Sequence, residues 1–451
     1  MAQAEVALAT LSEWAVALPE AALPAAVLRR SAEILADDLA AALDASREPE
    51  PAALRARLLS RPRIEEATLF AAGLPRADRM GAAACNGTAA PWMELDGGFR
   101  PTPCHAGIYV WPALLAEAEA TGASLGATLR AHALGYEIVT RVALAYRFAA
   151  PRVHVHAAFS PLGAAAAVLL LRGADTATLL SGVAGAATLA LIGPRGHMVE
   201  GILARNAWVG AGAACGLLAA DQAEAGIGGA PHSVAEVYAG VLGGTPDPAQ
   251  LTAGLGTAWS IEGGYHKTFA CCQHGHPTVD AILSILEGHD VAAEEVAAIH
   301  VETHPLALSL DNAAPATTLA GKFSLQHIAA AALVHRAGDA RAFGAAGLGD
   351  LTVARLRQRV SMAPFSPLPA PPHDRPARVT ITLSDGRRLS AECLSAPGNP
   401  DRPIGTEALA AKIAGAAAGV LPGLATLPDR ASRDGVRPWR EMLAELTAAS
   451  A

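Results

Sequence analysis

Residues 124–147, SLGATLRAHALGYEIVTRVALAYR, have the pattern of a long buried helix. Ser124 suits the N-cap position, because its hydroxyl can accept a hydrogen bond from the first helical turn. Apolar residues then recur at helical spacing, as they also do in LPAAVLRRSAEILADDLAAAL, residues 23–43. Alanine-rich segments further on, such as PLGAAAAVLLLRG and NAWVGAGAACGLLAADQAEAG, suit closely packed bundle helices. The chain is therefore predicted to be helical up to about residue 266.

The sequence pattern changes at Lys267. HPTVDAILSILEG and SLQHIAAAALVHR predict helices, VAAIHVETH predicts a strand, and ARVTITLSDGRRLSAEC predicts a hairpin that turns at Asp385–Gly386. From about Thr406 the pattern is helical again. We predict a mainly α protein with a large all-helical domain, residues 1–266, to which residues 404–451 return. Residues 267–403 should form a smaller, lid-like α+β domain.

Composition narrows the classes of partner. The 451 residues include 34 basic and 42 acidic side chains, a formal net charge of −8, and no basic run is present. Nucleic acid is therefore not an expected partner. The uncharged stretch 176–194 is mostly Ala, Gly, Thr and Ser, which favours a buried helix over a membrane span. The N-terminal segment lacks the basic region of a secretory signal, so we expect a cytoplasmic protein with no membrane partner.

A loop rich in Gly and Pro carries the first candidate site residues. CNGTAAPWMELDGGFRPTPCHAG, residues 85–107, contains Glu94, Asp96 and His105. Residues two apart lie on one face of an extended segment, so Glu94 and Asp96 could face the same site. The alternative is an ordinary solvated acidic loop.

Two further segments place cations and histidines in apolar surroundings. His154-x-His156 could clamp a metal ion, but no third ligand is evident nearby, which favours catalytic or core histidines. Arg205 precedes an alanine-rich helix and suits a carboxylate, although by itself a surface salt bridge is the simpler interpretation. The sequence therefore predicts no metal.

The segment KTFACCQHGHPTVDAI, residues 267–282, is compatible with a metal site, a redox pair or an acid–base site. Cys271 and Cys272 are adjacent, which is not the spacing of a zinc knuckle or a thioredoxin motif. Burial could lower the pKa of Lys267 towards that of a working base or leave it as a cation. No phosphate loop, serine-hydrolase elbow or zincin motif occurs, so no cofactor is predicted.

Six segments, in chain order, resemble the MmgE/PrpD family, which includes 2-methylcitrate dehydratase, cis-aconitate decarboxylase and iminodisuccinate epimerase. The segments similar to its motifs are NGTAAPWMELDGG with HAG, HVHAAFSPLGAAAA, ARNAWVGAGAACGLLAA, KTFACCQHGHPTVDA, GKFSLQHIAAAAL, and RVTITLSDGRRL with PGNPDRPIGTEALAAK. The resemblance implies a cofactor-free lyase or isomerase of small polycarboxylates. It also implies a helical domain with a lid-like α+β domain, in a homodimer.

The resemblance assigns roles residue by residue. His105, His154 and Lys267 match the family's active-site histidines and lysine, and Glu94 stands where the family has aspartate. Arg205 stands where many members have lysine. The residues assigned to catalysis are Glu94, His105, His154 and Lys267, and those assigned to substrate binding are Asp96, Arg205, Cys272 and His327.

Departures from the family pattern leave the substrate open. Gly97 and Gly98 replace an aspartate and a threonine, Cys272 stands where a histidine is expected, and His327 replaces a tyrosine. The preferred hypothesis is a dehydratase or decarboxylase that abstracts a proton next to a carboxylate. An epimerase with His154 and Lys267 as two bases is the alternative, and a non-catalytic binding or scaffold protein is a further one.

Overall fold

The helical part of the fold is a bundle built from long apolar helices. The computed structural model describes residues 2–148 and 152–448. Ser124 is the predicted N-cap, and its hydroxyl accepts a hydrogen bond from the Ala127 N–H at 3.2 Å. The helices of this part are α1 (Ala2–Ala17), α2 (Ala25–Ala45), α3 (Pro49–Leu59), α4 (Arg79–Ala89), α5 (Ala106–Thr121), α6 (Leu125–Ala145), α7 (Val155–Arg172), α8 (Thr176–Thr188), α9 (His197–Glu200), α10 (Ala204–Glu224) and α11 (Ser233–Ala235).

Short two-residue ladders cross this bundle, which is therefore not purely helical. They pair β1 (Ala67–Thr68) with β2 (Arg76–Ala77), β3 (Gly98–Phe99) with β6 (Gly264–Tyr265), and β4 (Tyr146–Arg147) with β5 (Thr245–Pro246). The β3–β6 pair matters most, because it places the loop before α5 beside the residues that follow β6.

The second part is a four-stranded mixed sheet with helices against it. The order β10 (Arg388–Cys393), β9 (Ala377–Leu383), β7 (Val296–Thr303), β8 (Val360–Pro364) makes only the β7–β8 pair parallel. The predicted hairpin is confirmed as β9–β10, and Gly386 at its turn has φ +87°, which suits glycine. The helices are α12 (His276–Gly288), α13 (Pro305–Leu308), α14 (Thr318–Lys322), α15 (Leu325–His335), α16 (Ala345–Gly349) and α17 (Leu351–Arg357).

Each part has its own hydrophobic core, and the mainly α fold with a smaller α+β part is confirmed. The chain ends with α18 (Thr406–Ala417), α19 (Leu427–Arg430) and α20 (Trp439–Ala448). Ile413 and Trp439 from this segment are buried in the core of the helical bundle. Helix α7 is apolar and long enough to span a membrane, but 83% of it is buried within the protein, as befits a core helix.

Candidate active site

A cavity of about 80 Å³ lies between the hydrophobic core of the helical part and that of the α+β part. Leu95 and Leu203, which flank site residues in sequence, each pack against both cores. The cavity is larger than the site of a single water, which needs about 10–15 Å³. That size suits a small organic acid.

The loop between α4 and α5 presents two buried carboxylates, Glu94 and Asp96. Glu94 has φ +54°, a left-handed conformation that costs a non-glycine residue about 1–3 kcal/mol. Asp38 in α2 accepts a hydrogen bond from the Gly97 N–H at 2.7 Å and so fixes the loop. A side chain at Gly98 would collide with the Tyr265 hydroxyl, which occupies that space and lines the cavity. Glu94 lines the cavity and both carboxylates contact Lys267, although the left-handed backbone at Glu94 replaces the extended segment that the sequence suggested.

Lys267 is completely buried and ion-paired to both carboxylates. Its Nζ lies 2.8 Å from Glu94 Oε2 and 3.2 Å from Asp96 Oδ1. Burial opposes the charged form, but Asp96 and Glu94 outweigh it and raise the pKa of Lys267 well above its ordinary value. The expectation that burial lowers this pKa towards that of a base is therefore wrong, and Lys267 is a cation.

Arg205 is also neutralised within the site. Its Nη1 lies 2.6 Å from Glu94 Oε1 and donates to Asn206 Oδ1 at 2.9 Å, and its guanidinium stacks 4.9 Å from the Phe323 ring centroid. Burial raises the pKa of Glu94, but Arg205 and Lys267 outweigh it, and the net shift is downward. Glu94 is thus an ionised carboxylate shared by two cations.

Asp96 orients His105. Its Oδ2 lies 2.7 Å from His105 Nδ1, and the Gly97 carbonyl oxygen lies 2.9 Å from the same nitrogen. Burial opposes ionisation of Asp96, yet Lys267 and then His105 hold its pKa well below the ordinary value, so both partners of Nδ1 are acceptors. Nδ1 must carry a hydrogen, so Nε2 is the nitrogen through which His105 can take up a proton.

His154 has the opposite arrangement. It caps α7, and its Nδ1 accepts from the His156 N–H at 3.1 Å. Burial, and then the charge of Arg205, lower the pKa of His154 well below the ordinary value, so the ring is neutral with its hydrogen on Nε2. Arg205 Nε–H also points at that nitrogen, at 3.4 Å, but a neutral imidazole cannot accept at both nitrogens. The shorter contact at Nδ1 places the hydrogen on Nε2, so the longer one is a contact between two donors and not a hydrogen bond. His154 is therefore a hydrogen-bond donor towards the cavity.

Among the described residues, the potential metal ligands that lie together are Asp96, His105 and His156, so His154 of the predicted pair is not one of them. Ligand atoms of Asp96, His105 and His156 lie within 4.8 Å of one another, close enough for a metal ion. His156 Nδ1 lies 2.9 Å from Tyr109 Oη, and its Nε2 has no partner among the described residues. The Lys267 ammonium, however, already lies beside Asp96, where it would repel a divalent ion. The absence of a metal stays a prediction.

Cys272 lines the cavity, whereas His327 does not. Burial raises the pKa of Cys272 to about 11, and all six cysteines are free thiols, so the adjacent pair is not a disulfide. His327 packs behind the site against Gly321 in α14, and neither ring nitrogen finds a partner within the described ranges. The predicted substrate-binding role of His327 therefore has no support from the cavity, because this residue is not part of its lining.

Several lining residues escaped the sequence analysis: Phe99, Arg195, Tyr265, Gln273, His274, Phe323 and Arg375. Tyr265 and His274 lie within two and seven residues of Lys267, so proximity to that motif was a usable signal. Arg195 and Arg375 lie in loops without a recognisable motif. Nothing in the sequence therefore indicated that their side chains line the cavity.

Two models of known protein families match most of the chain. Residues 9–252 match the family model of the MmgE/PrpD N-terminal domain, and residues 269–426 match that of the MmgE/PrpD C-terminal domain. No curated protein matches the chain significantly. The site residues of the helical part, from Glu94 to Arg205, lie inside the first match, and Cys272 lies inside the second.

Proposed function

The chain belongs to the MmgE/PrpD family, whose members are generally enzymes of the dehydratase and lyase type, and from that premise we propose that it is a cofactor-independent lyase of a small di- or tricarboxylate. The observation that carries this proposal is the Asp96–His105 pair. It leaves a basic imidazole nitrogen at a cavity that Arg195, Arg205, Lys267 and Arg375 also line.

His105 is the proposed base. Its Nε2 takes the proton from the carbon next to a substrate carboxylate, and the electron pair of that C–H bond moves into the carboxylate. Ionised Asp96 stabilises the imidazolium that forms. His105 can then return the proton to a leaving hydroxyl, which departs as water while the carbon–carbon double bond forms.

The negative charge that develops on the substrate carboxylate needs donors already in place. His154 offers its Nε2–H as a neutral donor, and Arg205 and Lys267 are buried donors beside the cavity, although Glu94 and Asp96 balance their charges. Glu94 holds these two cations at fixed positions through contacts of 2.6 and 2.8 Å. We assign Glu94 as a positioning residue and the other three as stabilising groups.

Epimerisation by a His154–Lys267 pair of bases is disfavoured. A base must be unprotonated, and the pKa of Lys267 is raised while His154 carries its hydrogen on the nitrogen nearest Arg205. Decarboxylation remains an alternative, because the same cations can hold the carbanion that loss of CO₂ leaves and His105 can protonate it.

We also propose a cytoplasmic homodimer. Support comes from helix α10, which exposes Ala207, Ala211 and Leu218 on one side, an apolar strip that a second copy could cover. Multi-angle light scattering at micromolar concentration should give the mass of two chains. A monomer at that concentration would contradict the proposal.

The reaction is tested by proton NMR in D₂O with a panel of hydroxylated and unsaturated di- and tricarboxylic acids. We expect loss of one C–H signal with the appearance of an alkene. His105→Gln should lower the rate by about two to four orders of magnitude, whereas His289→Gln, at an exposed histidine, serves as the matched control. Exchange with inversion and no alkene would establish an epimerase, and a folded protein inert towards the whole panel would overturn the proposal.

A metal requirement is tested separately. Elemental analysis of the purified protein, before and after treatment with a chelator, should show no stoichiometric metal and no change in activity. Loss of zinc or iron together with activity would reassign Asp96, His105 and His156 as ligands.

A further inference from the structure

Arg205, assigned to substrate binding, and Lys267, assigned to catalysis, are already neutralised within the protein. Glu94 is ion-paired to both Arg205 and Lys267, and Asp96 adds a second contact to Lys267. Two buried carboxylates thus balance two buried cations. A substrate carboxylate that relied on these groups alone would meet little net positive charge.

Two other arginines line the same cavity without such a partner. Neither Arg375 nor Arg195 has a carboxylate within 4.0 Å in the part of the chain that the structure describes, and the buried Nε of Arg375 has no hydrogen-bond partner there. A guanidinium that faces a cavity with an unused donor is costly unless an anion binds it.

Arg375 is held in place by a contact between the two parts of the fold. Its Nη2 donates to the Arg100 carbonyl oxygen at 2.8 Å, and the Arg100 side chain binds Asp374 Oδ1 at 2.6 Å and the Pro372 carbonyl oxygen at 2.7 Å. Arg100 follows β3 in the helical part, and Arg375 precedes β9 in the α+β part. This clamp fixes the backbone on either side of Arg375, and within residues 2–148 and 152–448 the guanidinium makes no other hydrogen bond.

The surroundings of Arg375 leave its side chain positively charged. Burial, and then the charge of Arg100, lower the pKa of Arg375 to about 10, so the side chain remains protonated at neutral pH. Burial lowers the pKa of His274, another lining residue, well below its ordinary value, and nearby His304 and Arg375 lower it further. His274 is therefore a neutral neighbour that cannot compete with an anion for the guanidinium.

We infer that Arg375, together with Arg195, binds a second carboxylate of the substrate, the one remote from the carbon that His105 deprotonates. This inference rests on the proposed function and deepens it: the preferred substrate has at least two carboxylates, and Arg375 selects for the distal one. Arg195 reaches the cavity from the helical part, and its Nη2 contacts only Ser309 Oγ, at 3.1 Å, among the side chains of the described residues.

The first experiment measures anion binding without turnover. Isothermal titration with succinate and with its monoamide, succinamate, should show that the wild-type protein prefers the dianion. Arg375→Met should reduce succinate affinity by about 10- to 100-fold, the loss of one charge-assisted contact, and change succinamate affinity less than about threefold. Arg375→Lys should recover part of the loss, and Arg433→Met, at an exposed arginine, is the matched control.

The second experiment uses the acid that the NMR panel identifies and its analogue in which the remote carboxylate is an amide. Arg375→Met should raise KM for the acid far more than it lowers kcat, and should leave the analogue nearly unchanged. Arg195→Met should act in the same direction. Equal losses for acid and analogue, or unaltered succinate binding in both variants, would overturn the inference. Arg375-dependent succinate binding with no turnover of any acid would support the anion site while contradicting the lyase.

Discussion

Lys267 Nζ lies 2.8 Å from Glu94 Oε2, and both side chains are buried. The pair is part of one network of ion pairs. The other carboxylate oxygen of Glu94 lies against Arg205, and the Lys267 ammonium also contacts Asp96. A substitution at any member therefore leaves a buried charge without its partner. Stability and catalysis are expected to change together at these positions.

Lys267→Met should lower the free energy of unfolding by about 3–5 kcal/mol, because it leaves two buried carboxylates with one fewer cation. It should also lower kcat by about two to four orders of magnitude through lost charge stabilisation. Adding Glu94→Gln should restore part of the stability, since the second change removes an orphaned charge. Urea unfolding of the two single variants and the double variant checks this, with Arg433→Met as the surface control. Strict additivity of the two losses would show that the residues do not interact.

Asp96→Asn should lower kcat by about three to four orders of magnitude with little change in KM. The asparagine amide can donate to His105 Nδ1, which would move the ring hydrogen to Nε2 and remove the basic nitrogen from the cavity. Steady-state kinetics across the pH range measure the loss. Asp290→Asn, at an exposed aspartate, is the control for the amide substitution. A variant that retains wild-type kcat and pH profile would remove His105 from the role of base.

The secondary structure could be predicted because its signals are local. The Ser124 cap, the periodic apolar residues of α2 and α6 and the Asp385–Gly386 turn each lie within a few residues of the element they define. Glu94 and Asp96 do come together at Lys267, but the left-handed backbone at Glu94 brings them there, and not the alternation of an extended segment.

The electrostatics of the site could not be predicted in the same way. The pKa of Lys267 is raised because β3 pairs with β6 and brings residues 94–96 beside it across a sequence gap of about 170 residues. Burial alone, which the sequence suggests, shifts a lysine in the opposite direction. Arg375 lies in a proline-rich loop with no periodicity, so only the folded chain shows that it reaches the cavity.

The cysteines should be nearly inert in the folded protein. Burial raises the pKa of Cys85 and of Cys272 to about 11 and that of Cys271 well above the ordinary value, so each stays a protonated thiol at neutral pH. Iodoacetamide at pH 7.5 should modify half-buried Cys215 first, as detected by mass spectrometry of peptides. The urea-unfolded protein, in which all six thiols react, is the control. Rapid labelling of native Cys272 would show a thiolate at the cavity.

His327→Leu should leave catalysis almost unchanged and flatten the dependence of stability on pH. Burial, and then the charge of Arg357, lower the pKa of folded His327 from 6.5 to about 4. Between these values the unfolded chain binds a proton that the folded chain does not. This histidine therefore removes stability as the pH falls below 6.5, with a slope of up to about 1.4 kcal/mol per pH unit. Above pH 6.5 its effect is absent.

The leucine variant should accordingly gain stability over the wild type at pH 5 and show a smaller difference at pH 8, by urea unfolding at both values. Because neither ring nitrogen of His327 has a hydrogen-bond partner in the described ranges, its removal orphans no polar group. His289→Leu, at an exposed position, should not alter the pH slope and serves as the control. The kcat/KM of the leucine variant for the acid should stay within about twofold of the wild-type value, since His327 is not one of the residues that line the cavity. A tenfold rise in KM would instead return His327 to the substrate-binding set, and an unchanged pH slope would mean that its ring is hydrated in the folded protein.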